Sequence, residues 1–392
     1  MIRHLFKLIW NKKKQNFLLI MEMLVSFMVM FAVFSLLVFY YTNYKRPMGF
    51  VYEDVWALTF NNNRLDVKAP DSIAMYYENI KRRIASFPEV RSVSYVSGNS
   101  PFSANTTNSN IEVNKATFSA HIYRVDDDYA KTLQVTLLAG RWFSKLDDAG
   151  KEKPIILNRK MKELAYGDKD AIGQRFRADD KDVVVIGVVE TLKDKGDYNK
   201  AEAGYYMRAG RSSEYWPNRL LISLQPGTSP VFESKINKAM AGIMPEANIE
   251  IEQLTKKRVT KNNLTLIPML MLLIVAGFLI VNVALGLFGV LWYNISRRKA
   301  EIGLRRAIGA TGGNIVSQIV SETLVLSTFS LIIGSFFAIQ FPLLNVFDLP
   351  SGVYISALVL AILFIYVLVI ICAIYPGKQA SNILPAVALH ED

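Results

Sequence analysis

The sequence has very few of the residues that form disulfides or metal sites, with one cysteine and three histidines among 392 residues. Cys372 lies inside a long apolar segment, so the chain has no internal disulfide and any folded domain must rely on its apolar core. His4, His121 and His390 are far apart and do not form a metal-binding motif. We therefore expect no metal site.

The motifs of several enzyme classes are also missing. There is no Gly-x-Ser-x-Gly turn, no Cys/His pairing and no phosphate-binding loop, because the glycine-rich run 309–313 lacks a lysine. The acids Asp126, Asp127 and Asp128 could bind a cation, but such a run without the remaining features of a calcium loop is more typical of a solvated turn or helix cap. We expect no enzyme activity and no bound cofactor in this chain.

Charged residues are absent or nearly absent from four long segments, 17–41, 264–293, 314–344 and 353–375. Each exceeds the roughly 20 residues that cross about 30 Å of hydrocarbon, which predicts four transmembrane helices. A cleaved signal peptide is an alternative for the first segment. Its apolar stretch is about twice the usual length and has no small-residue cleavage site, so we expect a retained anchor.

Lysine and arginine are concentrated in residues 1–16 and 294–313. Because basic loops stay in the cytoplasm, both termini, including the tail 376–392, and the 294–313 loop are predicted to be cytoplasmic. The large segment 42–263 and the short loop 345–352 are then extracytoplasmic. The net charge of +11 is not gathered into a basic patch, so we expect no nucleic-acid partner.

The outer segment contains a strand–helix–strand pattern twice, at about 50–97 and about 211–255. Each helix ends before a Pro-Glu pair, at Pro88 and Pro245. We predict that the two βαβ units form one module, into which the β-rich residues 98–210 are inserted. The predicted fold class is thus a four-helix membrane protein with a large α+β extracytoplasmic domain between its first two helices.

Two features of the insertion predict local structure. The nearly continuous apolar run 182–189 predicts a strand that is buried on both faces. The stretches 103–110 and 193–204 are rich in Asn, Ser, Thr, Lys, Asp and Gly, which predicts mobile loops.

The segment 297–313 lies between the second and third apolar stretches and reads as a charged amphipathic helix. On one face, Glu301 is four residues from both Arg297 and Arg305 and could pair with each. The opposite face is apolar and consists of Ala300, Leu304, Ala307 and Ile308. Such a helix can lie at the membrane surface with its charges available to a soluble partner, or its charges serve only to fix the topology.

Two acids, Glu22 and Glu322, interrupt the apolar segments near their predicted cytoplasmic ends. A charge at mid-bilayer costs at least about 2.5 kcal/mol, so each acid needs an explanation. Local pairing with a cytoplasmic Lys or Arg is one interpretation. A polar contact between the two helices is the other.

The run Lys299-Ala-Glu-Ile-Gly-Leu-Arg-Arg-Ala-Ile-Gly-Ala, followed by Ile315 and Glu322, resembles the signature of FtsX/MacB-type permeases. These are the membrane subunits of the mechanotransmission class of ABC transporters. The insertion resembles the MacB-like periplasmic domain in the order of a Gly-Arg-x-Phe turn, an Ile-Leu-Asn strand, an Ile-Gly turn and a Val-Ile-Gly-Val-Val strand. The chain also ends in a similar way, with Tyr375, Pro376, Ala380, Pro385 and Leu389.

The resemblance implies a permease of a bacterial inner membrane that works with two ATPase subunits, which bind ATP and Mg²⁺, and with a second permease copy or a paralogue. Because 16 residues precede the first apolar segment, we expect the ATPase to be a separate chain. Efflux, lipoprotein or peptide handling, and envelope signalling with a partner protein all suit such a system. The resemblance places the ATPase contact at Arg298, Lys299, Glu301, Gly303, Arg305, Arg306 and Gly309.

The alternative interpretation is an FtsX-like regulator or a membrane-anchored receptor or scaffold. In that case the outer domain binds an envelope protein and the inner loop is only an anchor.

Overall fold

The computed structural model describes residues 13–61, 70–113, 116–148, 152–178, 181–209, 217–245 and 247–384. Most of the predicted cytoplasmic N-terminus, His4, His390 and the terminal Pro385 and Leu389 lie outside these residues. The chain divides into two compact units, Asn43–Thr265 and the remainder.

Nine helices occur in the described residues: α1 (Lys13–Tyr44), α2 (Pro70–Ala85), α3 (Tyr129–Leu133), α4 (Arg159–Tyr166), α5 (Phe232–Ile243), α6 (Leu254–Arg297), α7 (Lys299–Ala307), α8 (Gly312–Leu343) and α9 (Ser351–Ser381). Four of them, α1, α6, α8 and α9, are long and apolar enough to cross a membrane, which confirms the four predicted spans. The short helix α7 lies between the second and third spans.

The membrane unit has its own apolar core. Phe27 of α1, Leu287 of α6 and Leu331 of α8 are nearly fully buried and pack in one cluster with α9. The face of α9 in this cluster carries Ala357 and Ala361, whose small side chains allow neighbouring helices to approach closely. In lipid, where apolar side chains gain little from leaving the solvent, such close packing stabilises the bundle.

The outer unit contains eleven strands in its described residues: β1 (Val55–Asn61), β2 (Val90–Gly98), β3 (Asn108–Val113), β4 (Ala116–Val125), β5 (Leu137–Gly140), β6 (Lys153–Asn158), β7 (Arg175–Ala178), β8 (Lys181–Val189), β9 (Gly204–Arg208), β10 (Arg219–Leu224) and β11 (Asn248–Gln253). All of them belong to one hydrogen-bonded network.

The two predicted βαβ units interleave to form one module, in the strand order β11-β1-β10-β2. β10 lies between β1 and β2 and is antiparallel to both, which is the split βαβ arrangement. β1 is apolar on both faces: Trp56, Leu58 and Phe60 pack under α2 and α5, whereas Val55 and Ala57 belong to the core on the other face. This two-sided burial explains why the sequence of β1 is apolar almost throughout.

The insertion forms a second structure within the same network. The pairings β4–β3, β3–β7, β7–β8, β8–β6, β6–β9 and β9–β4 return to their starting strand and close a ring of six strands. Its apolar core includes Ile111, Ile122, Ile155 and Val183, all of which are buried. Because the ring is closed, each of these six strands pairs with a neighbouring strand on both sides.

Two predictions for the insertion are wrong. The run 182–189 is buried on alternate residues along its first half and on both faces only near Gly187–Val189, because ring strands have one inward face. The segment 193–204 is not a loose loop: Lys193, Asp194 and Asp197 are 3%, 2% and 5% exposed. Its polar residues are buried because they bond to distant parts of the domain.

Candidate functional site

The predicted coupling segment contains a break between two helices. α6 ends at Arg297, Arg298 adopts a non-helical conformation with φ −104° and ψ 16°, and α7 begins at Lys299. Because the helix is interrupted, the i, i+4 spacing from Arg297 to Glu301 does not bring these side chains together. Arg297 instead lies over the ring of Tyr293, with its guanidinium carbon 5.1 Å from the ring centroid. The predicted pairing of Glu301 with Arg297 is therefore wrong.

Arg298 takes the place of Arg297 and connects three helices. Its guanidinium donates to Glu301 of α7 at 3.0 and 3.1 Å and to Glu322 of α8 at 2.6 and 3.3 Å. Arg305 donates to the same Glu301 at 2.6 Å and also to Gln318, whose amide donates to Glu322 at 2.8 Å. The hydrogen bonds to Glu301, with those to Glu322, raise the pKa of Arg298 above its usual range. We call these five side chains the Arg298 network.

The Arg298 network supports the interpretation of local pairing for Glu322, one of the two intramembrane acids. The Glu322 carboxylate accepts hydrogen bonds from Arg298 and Gln318, which is the local pairing. Glu22 lies against α6, where a Cβ added at Gly286 would overlap its carboxyl group. The two acids thus have different neighbours. The Glu22 carboxyl group occupies the space that a side chain at position 286 would fill, which explains the glycine there.

The other predicted contact residues of α7 have different settings. Gly303 is buried, Lys299 is partly buried, and Arg306 donates to the backbone oxygen of Ala310 at 3.2 Å. Gly309 has a φ of +103°; its N–H donates to Arg306 O while that of Ala310 donates to Arg305 O. This pair of bonds is a Schellman motif, so glycine at 309 ends the helix.

The two sides of α7 have different surroundings. Ile302 is buried against Ile315 and Ile319 of α8, and the charged side chains of the Arg298 network turn toward the same helix. Leu304 and Ile308 of the predicted apolar face are 51% and 78% exposed, as a side turned to lipid or to a partner protein would be. α7 therefore presents an apolar surface bordered by charges.

A second polar cluster lies in the outer unit, and no sequence motif pointed to it. The ammonium group of Lys193 donates to three backbone oxygens, those of Asn43 (2.6 Å), Arg46 (3.2 Å) and Asp197 (2.8 Å). Asn43 lies in the last turn of α1, where carbonyl groups lack helical partners and a positive charge is favourable. We call residues 193–198 the clasp loop.

The clasp loop also binds the first turns of α6. The Asp197 carboxylate accepts from Arg258 at 2.8 and 3.0 Å and from Asn262 at 2.7 Å, and its own N–H donates to Asn262. A Cβ at Gly196 would lie 2.7 Å from the Asn262 amide oxygen, so the loop requires glycine there. One loop thus holds the end of α1 and the start of α6. The partners are too distant in sequence for local reasoning to find them.

The run of three acids is occupied by basic side chains of the same chain. Asp126 and Asp128 accept from Lys81 at 2.7 and 2.6 Å, and Asp127 accepts from Arg208 at 2.6 Å. Burial raises the pKa of Asp126, and the Lys81 ammonium opposes this shift. Over the described ranges, no three metal-ligating side chains come together. Asp128 is the N-cap residue of α3, although its side chain makes no capping bond, and the carboxylates of the run join this turn to α2 and β9.

Comparison with known families assigns both units. The family described as "MacB-like periplasmic core domain" matches residues 23–238, which is more than half of the chain, and "FtsX-like permease C-terminal" matches residues 273–385. The chain belongs to the MacB/FtsX-type ABC transporter permeases. The second match includes the Arg298 network and the whole of α8 and α9.

Individual relatives of this permease are distant. It is 23% identical over 289 residues to an uncharacterized ABC transporter permease, YvrN, of Bacillus subtilis, covering 68% of this chain and 69% of that protein. It is 20% identical over 283 residues to the macrolide export ATP-binding/permease protein MacB of Pasteurella multocida, covering 70% of this chain but 44% of the relative. The permease thus spans less than half of that relative's length.

Solved structures of outer domains are similar to part of the permease. The periplasmic region of MacB from Actinobacillus actinomycetemcomitans has a TM-score of 0.40 at 13% identity, covering 54% of this chain and 94% of that one. The extracellular domain of the transporter YknZ from Gram-positive bacteria has a TM-score of 0.35 at 12% identity, covering 50% and 99%.

Proposed function

We propose that this permease transmits the ATP-driven motion of a separate ATPase to its extracytoplasmic domain. In the complex, two permease chains would work with two ATPase subunits, which bind ATP and Mg²⁺. Both termini and the loop with α7 would be cytoplasmic, and residues 42–263 would be outside the inner membrane. The motion would serve efflux, lipoprotein or peptide handling, or envelope signalling.

The Arg298 network is the observation that carries this proposal. A force on α7 acts on Glu301 and Arg305, which are bonded to Arg298 at the end of α6 and to Gln318 in α8. Hydrogen bonds between charged groups are the strongest of their kind in proteins, so the ends of the two spans would move with α7. At its other end, α6 carries Arg258 and Asn262, which the clasp loop holds.

The exposed surface of α7 supports an ATPase contact that differs in detail from the sequence expectation. Protein interfaces commonly have an apolar centre and a charged rim. Leu304 and Ile308 would form the centre, and the rim would include Lys299, Glu301 and Arg305. Arg298 would act from inside the permease by positioning Glu301.

The test is purification of the tagged permease from its native membrane, with mass spectrometry for a protein that carries a phosphate-binding loop. We expect Leu304→Glu combined with Ile308→Glu to reduce ATPase recovery at least about 30-fold, since central interface residues contribute about 2 kcal/mol or more. Val231→Glu is the matched control, because Val231 is 70% exposed in the outer domain. Glu301→Lys should retain less ATPase than wild type.

Two results would contradict the proposal. If wild-type permease brings down no ATPase but does bring down an envelope protein bound to residues 42–263, the receptor or scaffold interpretation is correct. If the ATPase is present and the α7 double variant retains it as well as Val231→Glu does, the contact lies elsewhere.

A further inference from the structure

α6 is the least covered of the four candidate spans. In its most apolar window 6% of the residues are buried, against 28–39% in the other three. Ala276, Val283, Leu287 and Leu291 are buried, and their spacing places them on one narrow stripe of the helix. Many of the remaining side chains of α6 are exposed, among them Ile274, Phe278, Val281 and Leu285.

The exposed side of α6 carries a regular stripe of four residues. Phe278, Asn282, Leu285 and Gly289 are separated by four, three and four positions, which is the spacing of a helix-pairing seam. Phe278 is 68% exposed and Leu285 is 65% exposed. Asn282 and Gly289 are exposed as well. We call this set the outer stripe of α6.

Asn282 is an unusual residue for a surface that faces lipid. Its amide nitrogen donates to Phe278 O at 2.8 Å, its one hydrogen bond within the described residues. Thr323, Ser327 and Ser330 of α8, by contrast, are buried and each hydroxyl donates to a carbonyl of its own helix. The Asn282 amide oxygen and its second N–H need partners in the hydrocarbon, because water is absent there.

Gly289 is a second, independent indication that another helix packs against the outer stripe. A Cβ added at this position would meet no atom of the chain within 4 Å, so packing inside this permease does not require glycine. Gly286, three residues earlier, is different because a Cβ there would overlap Glu22. A small residue on a lipid-facing stripe allows a second helix to approach closely.

We propose that the outer stripe of α6 pairs with the same stripe of a second copy, and that the two Asn282 amides bond to each other. Two copies inserted in the same direction present parallel α6 helices, and a two-fold axis along the membrane normal brings each residue opposite itself. An asparagine amide both donates and accepts, so it satisfies its own copy. This inference rests on the paired permease of the proposed function and names the surface that forms the pair.

Cysteine cross-linking in native membranes tests the geometry. The chain has one cysteine, so Cys372→Ser gives a cysteine-free background. On it, Leu285→Cys should form a disulfide-linked dimer on mild oxidation, several-fold more than Leu363→Cys. Leu363 is the matched control because it is 59% exposed but lies on α9.

Substitutions in the stripe test its energetics by the dimer fraction in nanodiscs at a series of lipid dilutions. Asn282→Leu should weaken self-association about 3- to 30-fold, the range for interhelical side-chain hydrogen bonds in membranes. Asn282→Gln should restore much of it. Gly289→Leu should also weaken it, whereas Gly277→Leu should not, because Gly277 also has open space around it but lies off the stripe.

The outcomes separate this inference from the proposed function. If Leu285→Cys cross-links no better than Leu363→Cys while the chain remains a dimer, the pair exists but uses another surface. If Leu285→Cys forms a disulfide with a chain of different sequence, the partner is a paralogue, and the proposal that it is a second copy of this chain is wrong. If the chain is single at every dilution and captures no partner, the paired permease itself fails.

Discussion

Arg298 and Glu322 are joined by two hydrogen bonds, of 2.6 and 3.3 Å, although 24 residues separate them in the chain. The guanidinium lies at the end of one apolar helix and the carboxylate lies in the next. Their side chains are 22% and 25% exposed, so water screens the pair only partly.

Replacement of this acid should loosen the contact between α6 and α8. We expect Glu322→Leu to destabilise the membrane unit by about 1–2 kcal/mol, because Arg298 loses charged hydrogen bonds and keeps only Glu301. Thermal unfolding in detergent measures the change. Glu322→Gln keeps an acceptor and should lose less. Glu78→Leu is the control, since its pair with Arg82 is mostly exposed; an equal loss there would remove any special role for Glu322.

The contact between Glu22 and Gly286 gives a prediction about packing. Gly286→Ala should destabilise the bundle by about 1–3 kcal/mol, because the new methyl group overlaps the Glu22 carboxyl. The double variant Gly286→Ala with Glu22→Ala should recover much of the loss, which a double-mutant cycle of melting temperatures would measure. Gly277→Ala has no neighbour to displace and should change little. Additive effects in the cycle would show that the two residues are not coupled.

The clasp loop predicts a stability change in the outer unit. Asp197 is nearly buried and its carboxylate binds Arg258, so Asp197→Ala should destabilise by about 3 kcal/mol through the loss of a buried charge partner. Hydrogen exchange should rise in the clasp loop and in the first turns of α6. Glu152→Ala, in an exposed pair with Arg175, should cost less than about 1 kcal/mol. Unchanged protection around Arg258 would mean that Asp197 does not hold the helix.

His121 predicts how the outer unit responds to pH. Burial lowers the pKa of His121 below its ordinary 6.5; Asp194 opposes the shift, while Lys195 and Lys160 add to it. The unfolded chain therefore takes up a proton first as the pH falls, so stability decreases on acidification through 6.5 and levels off below the folded pKa. Its slope is at most about 1.4 kcal/mol per pH unit. Urea unfolding at about pH 7.5 and about pH 5.5, on either side of the unfolded pKa, measures the loss of stability on acidification. We expect this loss to be smaller in His121→Gln than in the wild type. An equal loss in both proteins would contradict the assignment to His121.

Periodicity and composition were sufficient to predict the helices of this permease, but not the closure of six strands into a ring. Apolar length predicted α1, α6, α8 and α9, and the Pro-Glu pairs predicted where α2 and α5 end. The ring of six strands was not predicted, because the β4–β9 pairing joins residues about 80 positions apart and leaves no local pattern.

The charged segment shows why spacing alone misplaced the site. A continuous helix from Arg297 to Ile308 would have given Glu301 two partners at i±4, but the break at Arg298 rotates the following residues. Nothing in the local sequence marks this break, since neither proline nor glycine occurs there. The clasp loop was missed for the opposite reason: its composition is that of a mobile loop, and only its distant partners bury it.

The interleaved order of the outer module also constrains how the chain can fold. Val55 of β1 pairs with Ser223 of β10, so the first βαβ unit stays incomplete until almost the whole outer segment has been synthesised. The six ring strands are consecutive between Asn108 and Arg208 apart from the short β5, and they can close earlier. Folding would thus proceed from the inserted part outward, and the exposed apolar face of β1 would need protection during translocation.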